Sequence, residues 1–137
     1  MSDLAKYMRA PYVDGARGPL AYDCWGLCIA IRHEVFGLEL LPSLGNVGRN
    51  RLRDNTEAYR ELKIGMQECA PEPGAIAGAF RGQLMAHVGV VVEVEGQLKI
   101  IDTNPGGVRV RTVRDFESDY PRVVYYNDSR IFPQQGR

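Results

Sequence analysis

The chain has 137 residues, with seventeen Lys and Arg against seventeen Asp and Glu, a formal net charge of zero and 45% hydrophobic residues. That length makes one domain, 1–137, with enough chain to bury a core unaided, and the balanced charge leaves no electrostatic case for nucleic acid or an anionic membrane as partner. Three cysteines, an odd number, argue against a disulfide framework and for a reducing compartment.

In chain order, Met1 to Met8 lacks the apolar core of a signal peptide, so the protein is expected to be made and left in the cytoplasm unless carried elsewhere. No segment approaches a membrane span. Residues 1–22 read as a lead-in with a short helix over 3–9, then a Gly/Pro-punctuated loop from Asp14 to Pro19. The apolar spacing of Cys28, Ile29, Ile31, Val35 and Phe36 predicts a helix over 24–36, stopped by Gly37. Ser43 to Arg53 is a polar loop, and Asp54 with Glu57 resembles a capping box opening a second helix that ends at Gly65. Cys69 falls in a loop. After Pro71-Glu72-Pro73-Gly74 the pattern turns to strands, over 75–80, 86–94, 97–103, 108–113 and 121–126. Helices first and sequential strands after predict an α+β domain, with N-terminal helices packed on an antiparallel sheet of about five strands. The polar tail 127–137 is either disordered or a docking arm.

Cys24 opens the predicted main helix, where unpaired N–H groups and the positive end of the macrodipole stabilise a thiolate over a thiol. A nucleophilic thiol needs a base, and the chain has two histidines. His33 follows nine residues later on the same helix, more than about ten ångströms along the axis, too far to reach the thiol; it reads as a solvated helix residue. His87 opens a β-branched strand, where the fold can bring it against the cysteine helix. A two-residue turn at Glu95-Gly96 pairs Val94 with Gln97 and, counted back, Gly89 with Asp102 and His87 with Asn104. His87, Gly89, Asp102 and Asn104 then share a sheet face with Leu98 and Ile100, and Gly89 leaves room for the cysteine helix. Asp102 or Asn104 is thereby placed to accept the second ring N–H of His87, with Asp102 preferred as a carboxylate beside apolar neighbours.

The remaining candidates divide between chemistry and structure. Cys24, Cys28, His33 and His87 fit a zinc site poorly, since a Cys-x-x-x-Cys spacing on one helix lacks a second ligand pair, and no metal or cofactor is expected. Cys28 reads as a small buried hydrophobe. Asp23 reads as the helix N-cap, Trp25 as core, Gly106-Gly107 as a turn, and Arg109, Arg111 and Arg114 as a solvated face.

Asp23-Cys24-Trp25-Gly26-Leu27, then Pro73-Gly74, then His87-Val88-Gly89-Val90 and a polar residue one hairpin later resembles the NlpC-type cell-wall peptidases, a branch of the papain-like cysteine peptidases. Pro11-Tyr12-Val13-Asp14-Gly15 resembles the Pro-Tyr-x-x-Gly segment that precedes the cysteine in that family, and the likeness covers roughly residues 10 to 115. Trp25 in place of the usual serine, with Glu34-Val35-Phe36-Gly37, resembles the subgroup encoded by tailed phages and prophages as tail-assembly proteins. The departures are Ala75, where many members carry aspartate, and Asp102, where many carry histidine. The resemblance implies a papain-like fold and a Cys24-His87-Asp102 triad, with Asn104 the alternative third member. It implies Tyr12 as a second oxyanion donor, and Asp23 as a group that binds the amino end of a substrate. It also implies a peptidoglycan stem peptide as substrate, other phage tail proteins as partners, and a bacterial cytoplasmic origin with delivery on the virion tail. Two other readings stay open: a tail-tip assembly protein with little turnover, and a thiol amidase or acyltransferase acting on another acyl group.

Overall fold

The computed structural model describes residues 4–41 and 65–128. The expected loop Ser43 to Arg53, the helix opening at Asp54 and the tail past Asp128 lie outside the described residues.

The first elements are α1 (Ala5–Met8) and α2 (Cys24–Glu34). Both are shorter than the expected 3–9 and 24–36. Asp23 caps α2 by accepting the Gly26 N–H at 2.7 Å. At the other end Gly37, at φ +68°, lets the Leu38 N–H reach back to the Arg32 carbonyl at 3.0 Å. The strands are β1 (Met66–Cys69), β2 (Ile76–Arg81), β3 (Leu84–Val94), β4 (Gln97–Asn104), β5 (Gly107–Thr112) and β6 (Arg122–Asp128), with α3 (Val113–Ser118) between the last two. They form one six-stranded antiparallel sheet in the order β1-β6-β2-β3-β4-β5.

Three differences from the expected elements have local causes. β1 is a short, largely polar edge strand whose middle residues Gln67 and Glu68 are exposed, so no period-2 apolar pattern marks it, and Cys69 ends this strand rather than lying in a loop. α3 takes the end of what reads as a strand over 108–113: the Thr112 hydroxyl accepts the Asp115 N–H at 3.0 Å and starts a helix. β6 runs on to Asp128, with Asn127 and Asp128 both buried, so the polar tail begins later than Asn127.

The sheet is buried on both faces. Trp25, Leu27, Cys28 and Ile31 of α2 join Val88, Val90, Val92 and Ile101. On the other side Phe116 of α3, with no exposed surface, joins Ala77, Ala79, Val91, Ile100 and Tyr125. Burying one such aromatic side chain is worth about 1.5–3 kcal/mol, which anchors a helix of only six residues. The buried Arg32 ties α2 to the far side of the sheet. Its Nε donates to the Gly74 carbonyl at 2.9 Å and its Nη2 to Asn127 Oδ1 at 3.0 Å, while the Asn127 amide donates to Glu72 at 2.7 Å. Among the described residues no helix is long and apolar enough to cross a membrane.

Candidate active site

The β3–β4 hairpin turns through Glu95 (φ +52°) and Gly96 (φ +81°), the backbone of a two-residue primed turn, and pairs Val94 with Gln97 through to Val90 with Ile101. This is the register expected from the turn. Past Val90↔Ile101 the next residues are Gly89 and Asp102, and a Cβ added at Gly89 would lie 2.7 Å from Ile100 Cγ2 and 3.3 Å from Asp102 Cβ. The absent side chain therefore admits the neighbouring strand, not the cysteine helix as expected. The result is that Asp102 sits beside His87.

The Nε2 of His87 and Oδ2 of Asp102 are 2.8 Å apart. The Cys24 thiol at the head of α2 is near enough to the same ring to raise its pKa, and with Nε2 on Asp102 the remaining ring nitrogen is Nδ1. All three side chains are enclosed, with Cys24 at 2%, His87 at 8% and Asp102 at 1% exposure. Burial is the largest influence on the imidazole and acts to lower its pKa, but the bonds to Asp102 and Cys24 and the charge on both outweigh it and raise the pKa to about 9. For Asp102 burial pushes upward, and the bonds to His87 and Arg109 hold the carboxyl below its ordinary range. His87 also stacks on Tyr120, with ring centroids 6.0 Å apart at 19°, and lies 6.2 Å from the ring of Phe116.

The other expected site residues take different places. Asn104 accepts the Gly106 N–H at 2.9 Å within the next turn, so its amide is engaged there and Asp102 holds the imidazole. Asp23 is the N-cap, and its carboxylate, with no exposed surface, also accepts Gly15 N–H at 3.0 Å and Arg17 Nη1 at 2.8 Å. Those partners leave it no surface for a substrate amine. Tyr12 is close enough to Cys24 to feel its charge, but its hydroxyl donates to Asp14 at 2.8 Å, and burial with that bond pushes its pKa up. His33 is exposed and faces the Leu38 carbonyl through Nδ1 at 2.9 Å. Trp25 and Cys28 are core residues, and burial pushes the Cys28 thiol well up. Among the described residues no group of three or more His, Cys, Asp and Glu is arranged to hold a metal ion.

Arg109 and Arg111 do not form the solvated face expected of them; of the three arginines only Arg114 is exposed. Arg109 donates from Nε to Asp102 Oδ1 at 3.1 Å and from Nη2 to Oδ2 at 2.8 Å. Arg111 Nη2 is 3.5 Å from the same Oδ2, and its Nη1 is 2.6 Å from Asp119 Oδ2. A signal for Arg109 existed in the sequence: a two-residue turn at Pro105-Gly106 pairs Asn104 with Gly107 and therefore Asp102 with Arg109, as observed. The chain matches no model of a known protein family, and no curated protein matches it.

Proposed function

We propose that the protein is a cysteine peptidase of the NlpC type, cutting an amide bond by thiol acyl transfer. The observation that carries this reading is the 2.8 Å contact of His87 Nε2 with Asp102 on a ring whose pKa the Cys24 thiol at the head of α2 helps to raise, which sets a nucleophile, a base and an orienting carboxylate together. A helix carrying the cysteine, packed on an antiparallel sheet carrying the histidine, supports a papain-like assignment of the fold.

In the proposed reaction His87 accepts the Cys24 proton. The sulfur attacks the carbonyl carbon, and the oxyanion meets the Cys24 backbone N–H, one of the first-turn donors that has no intrahelical acceptor. His87 gives its proton to the amine as the C–N bond breaks, leaving a thioester. Water then adds to the thioester, His87 accepts its proton, and the C–S bond breaks to release the acid and restore the thiol. Residues 10–115 resemble enzymes whose substrates are peptidoglycan stem peptides, which makes an amide between D-glutamate and a diamino acid the proposed substrate, met by a protein of a phage or prophage tail. Mass spectrometry of the protein mixed with stem peptides tests this: an adduct on Cys24 of the mass of the acyl fragment is expected, absent in Cys24→Ala. Hydrolysis without any Cys24 adduct, or an adduct from a different acyl donor only, overturns the assignment.

The 2% exposure of Cys24 favours a second reading, a tail-tip assembly protein with little turnover. Iodoacetamide separates the two. A working site alkylates at Cys24 first near neutral pH, ahead of the buried Cys28 and of Cys69, whose thiol burial and Glu72 push to about 11. A Cys24 that stays unlabelled until the protein unfolds favours the assembly protein.

A further inference from the structure

We propose that Arg109 is a positioning residue for the Cys24–His87 pair, acting through Asp102, so that the third member of the site is an Asp102–Arg109 unit; this rests on reading Cys24 and His87 as the reacting pair. The guanidinium is seated on both carboxylate oxygens, Nε on Oδ1 at 3.1 Å and Nη2 on Oδ2 at 2.8 Å. A carboxylate held by one histidine can still turn about its terminal torsion. One gripped by a planar fork cannot, and Oδ2 stays aimed at His87 Nε2. The backbone fixes the fork in turn, since Asp102 and Arg109 are directly opposed across β4 and β5.

Charge points the same way. Asp102 has a side chain with no exposed surface, and a buried carboxylate without a cation takes up a proton and no longer accepts one from an imidazole. Around His87 stand Cys24 from α2, Asp102 from β4, Phe116 of α3, and Tyr120 following α3 with Arg81 over its ring at 5.2 Å. Arg109 and Arg111 approach Asp102 from β5. Of those two cations only Arg109 hydrogen-bonds the carboxylate; Arg111 stands at 3.5 Å and is engaged by Asp119, with its guanidinium over Phe116.

The experiment is an NMR pH titration of the full chain, following the Asp102 carboxyl carbon and the low-field Nε2–H proton of His87 in wild type, Arg109→Gln, Arg109→Lys and Arg111→Gln. Losing Arg109 is expected to move the Asp102 midpoint up by about one unit or more and to abolish the low-field proton. Arg109→Lys keeps the charge without the fork, so the Asp102 midpoint is expected to stay near wild type while the proton signal weakens. Arg111→Gln, which removes a guanidinium 3.5 Å from the same carboxylate, is expected to raise the midpoint by less than Arg109→Gln and to leave the proton signal in place. An unmoved midpoint with an intact proton signal in Arg109→Gln overturns the proposal, as does an equal effect of Arg111→Gln, which would show a general loss of positive charge. If Arg109→Gln does not fold, Arg109→Lys decides, with an unchanged proton signal as the overturning result. No substrate enters this measurement, so a wild type that cleaves no amide sinks the peptidase assignment and leaves the role of Arg109 legible.

Discussion

His87 commits Nε2 to Asp102, and that bond sets what each substitution costs. His87→Ala removes the proposed base and is expected to abolish the proposed hydrolysis, while His33→Ala, which loses an exposed contact with the Leu38 carbonyl, is expected to keep it within a few-fold. Asp102→Ala is expected to lower kcat by roughly ten- to ten-thousand-fold, whereas Asn104→Ala, whose amide serves the following turn, costs far less. Steady-state kinetics rank the two, and the reverse order would put the orienting role on Asn104. The same ring makes stability depend on pH. Its folded pKa of about 9 exceeds the ordinary 6.5, so the native state holds more protons between those values. The contribution is complete below about 6.5 and lost as pH rises through about 9. Denaturation at several pH values is expected to show wild type losing its advantage over His87→Gln across that interval; a constant difference contradicts the raised pKa.

At the level of elements, Gly26 is the tightest fit. A Cβ there would lie 2.3 Å from the Ala16 carbonyl oxygen and 3.0 Å from Arg17 Cα, both backbone atoms of the loop that delivers Gly15 and Arg17 to Asp23. On an open helix Gly to Ala gains about 1 kcal/mol, but forcing this loop away costs about 1–3 kcal/mol, so Gly26→Ala is expected to destabilise in a urea titration and to loosen the start of α2. A gain in stability would mean that the loop yields freely. Turn chemistry accounts for what was legible in advance. Glu95-Gly96 announced the β3–β4 register, and with it the meeting of His87 and Asp102; Asp23 before an apolar-periodic run announced α2 and the place of Cys24. β1 was hidden because an edge strand of four residues with two exposed polar side chains carries no alternation. α3 was hidden because its Thr112-x-x-Asp115 start follows without a break from a strand, although that spacing is itself a helix-opening signal. The arginines were misread because charged residues alternating on a strand look solvated until the neighbouring strand is known to carry a buried carboxylate between them.

Across the whole molecule, the strand order binds distant parts of the chain to the site. β6 lies between β1 and β2, and its Asn127 holds Arg32, two turns along the helix that begins at Cys24. Asn127→Ala removes a bond to a buried cation and one to Glu72, and is expected to cost about 1.5–3 kcal/mol in a denaturant titration. No loss would show that α2 is seated without β6. Protein synthesis adds a direction to this arrangement. As the chain leaves the ribosome, β1 and β2 emerge with a vacant slot between them, and the strand that fills it comes out after every other described strand. A nascent chain arrested before residue 122 thus carries Cys24 and His87 but lacks the strand that joins β1 to β2. The joining of β1 to the rest of the sheet is in this way deferred until translation has released β6.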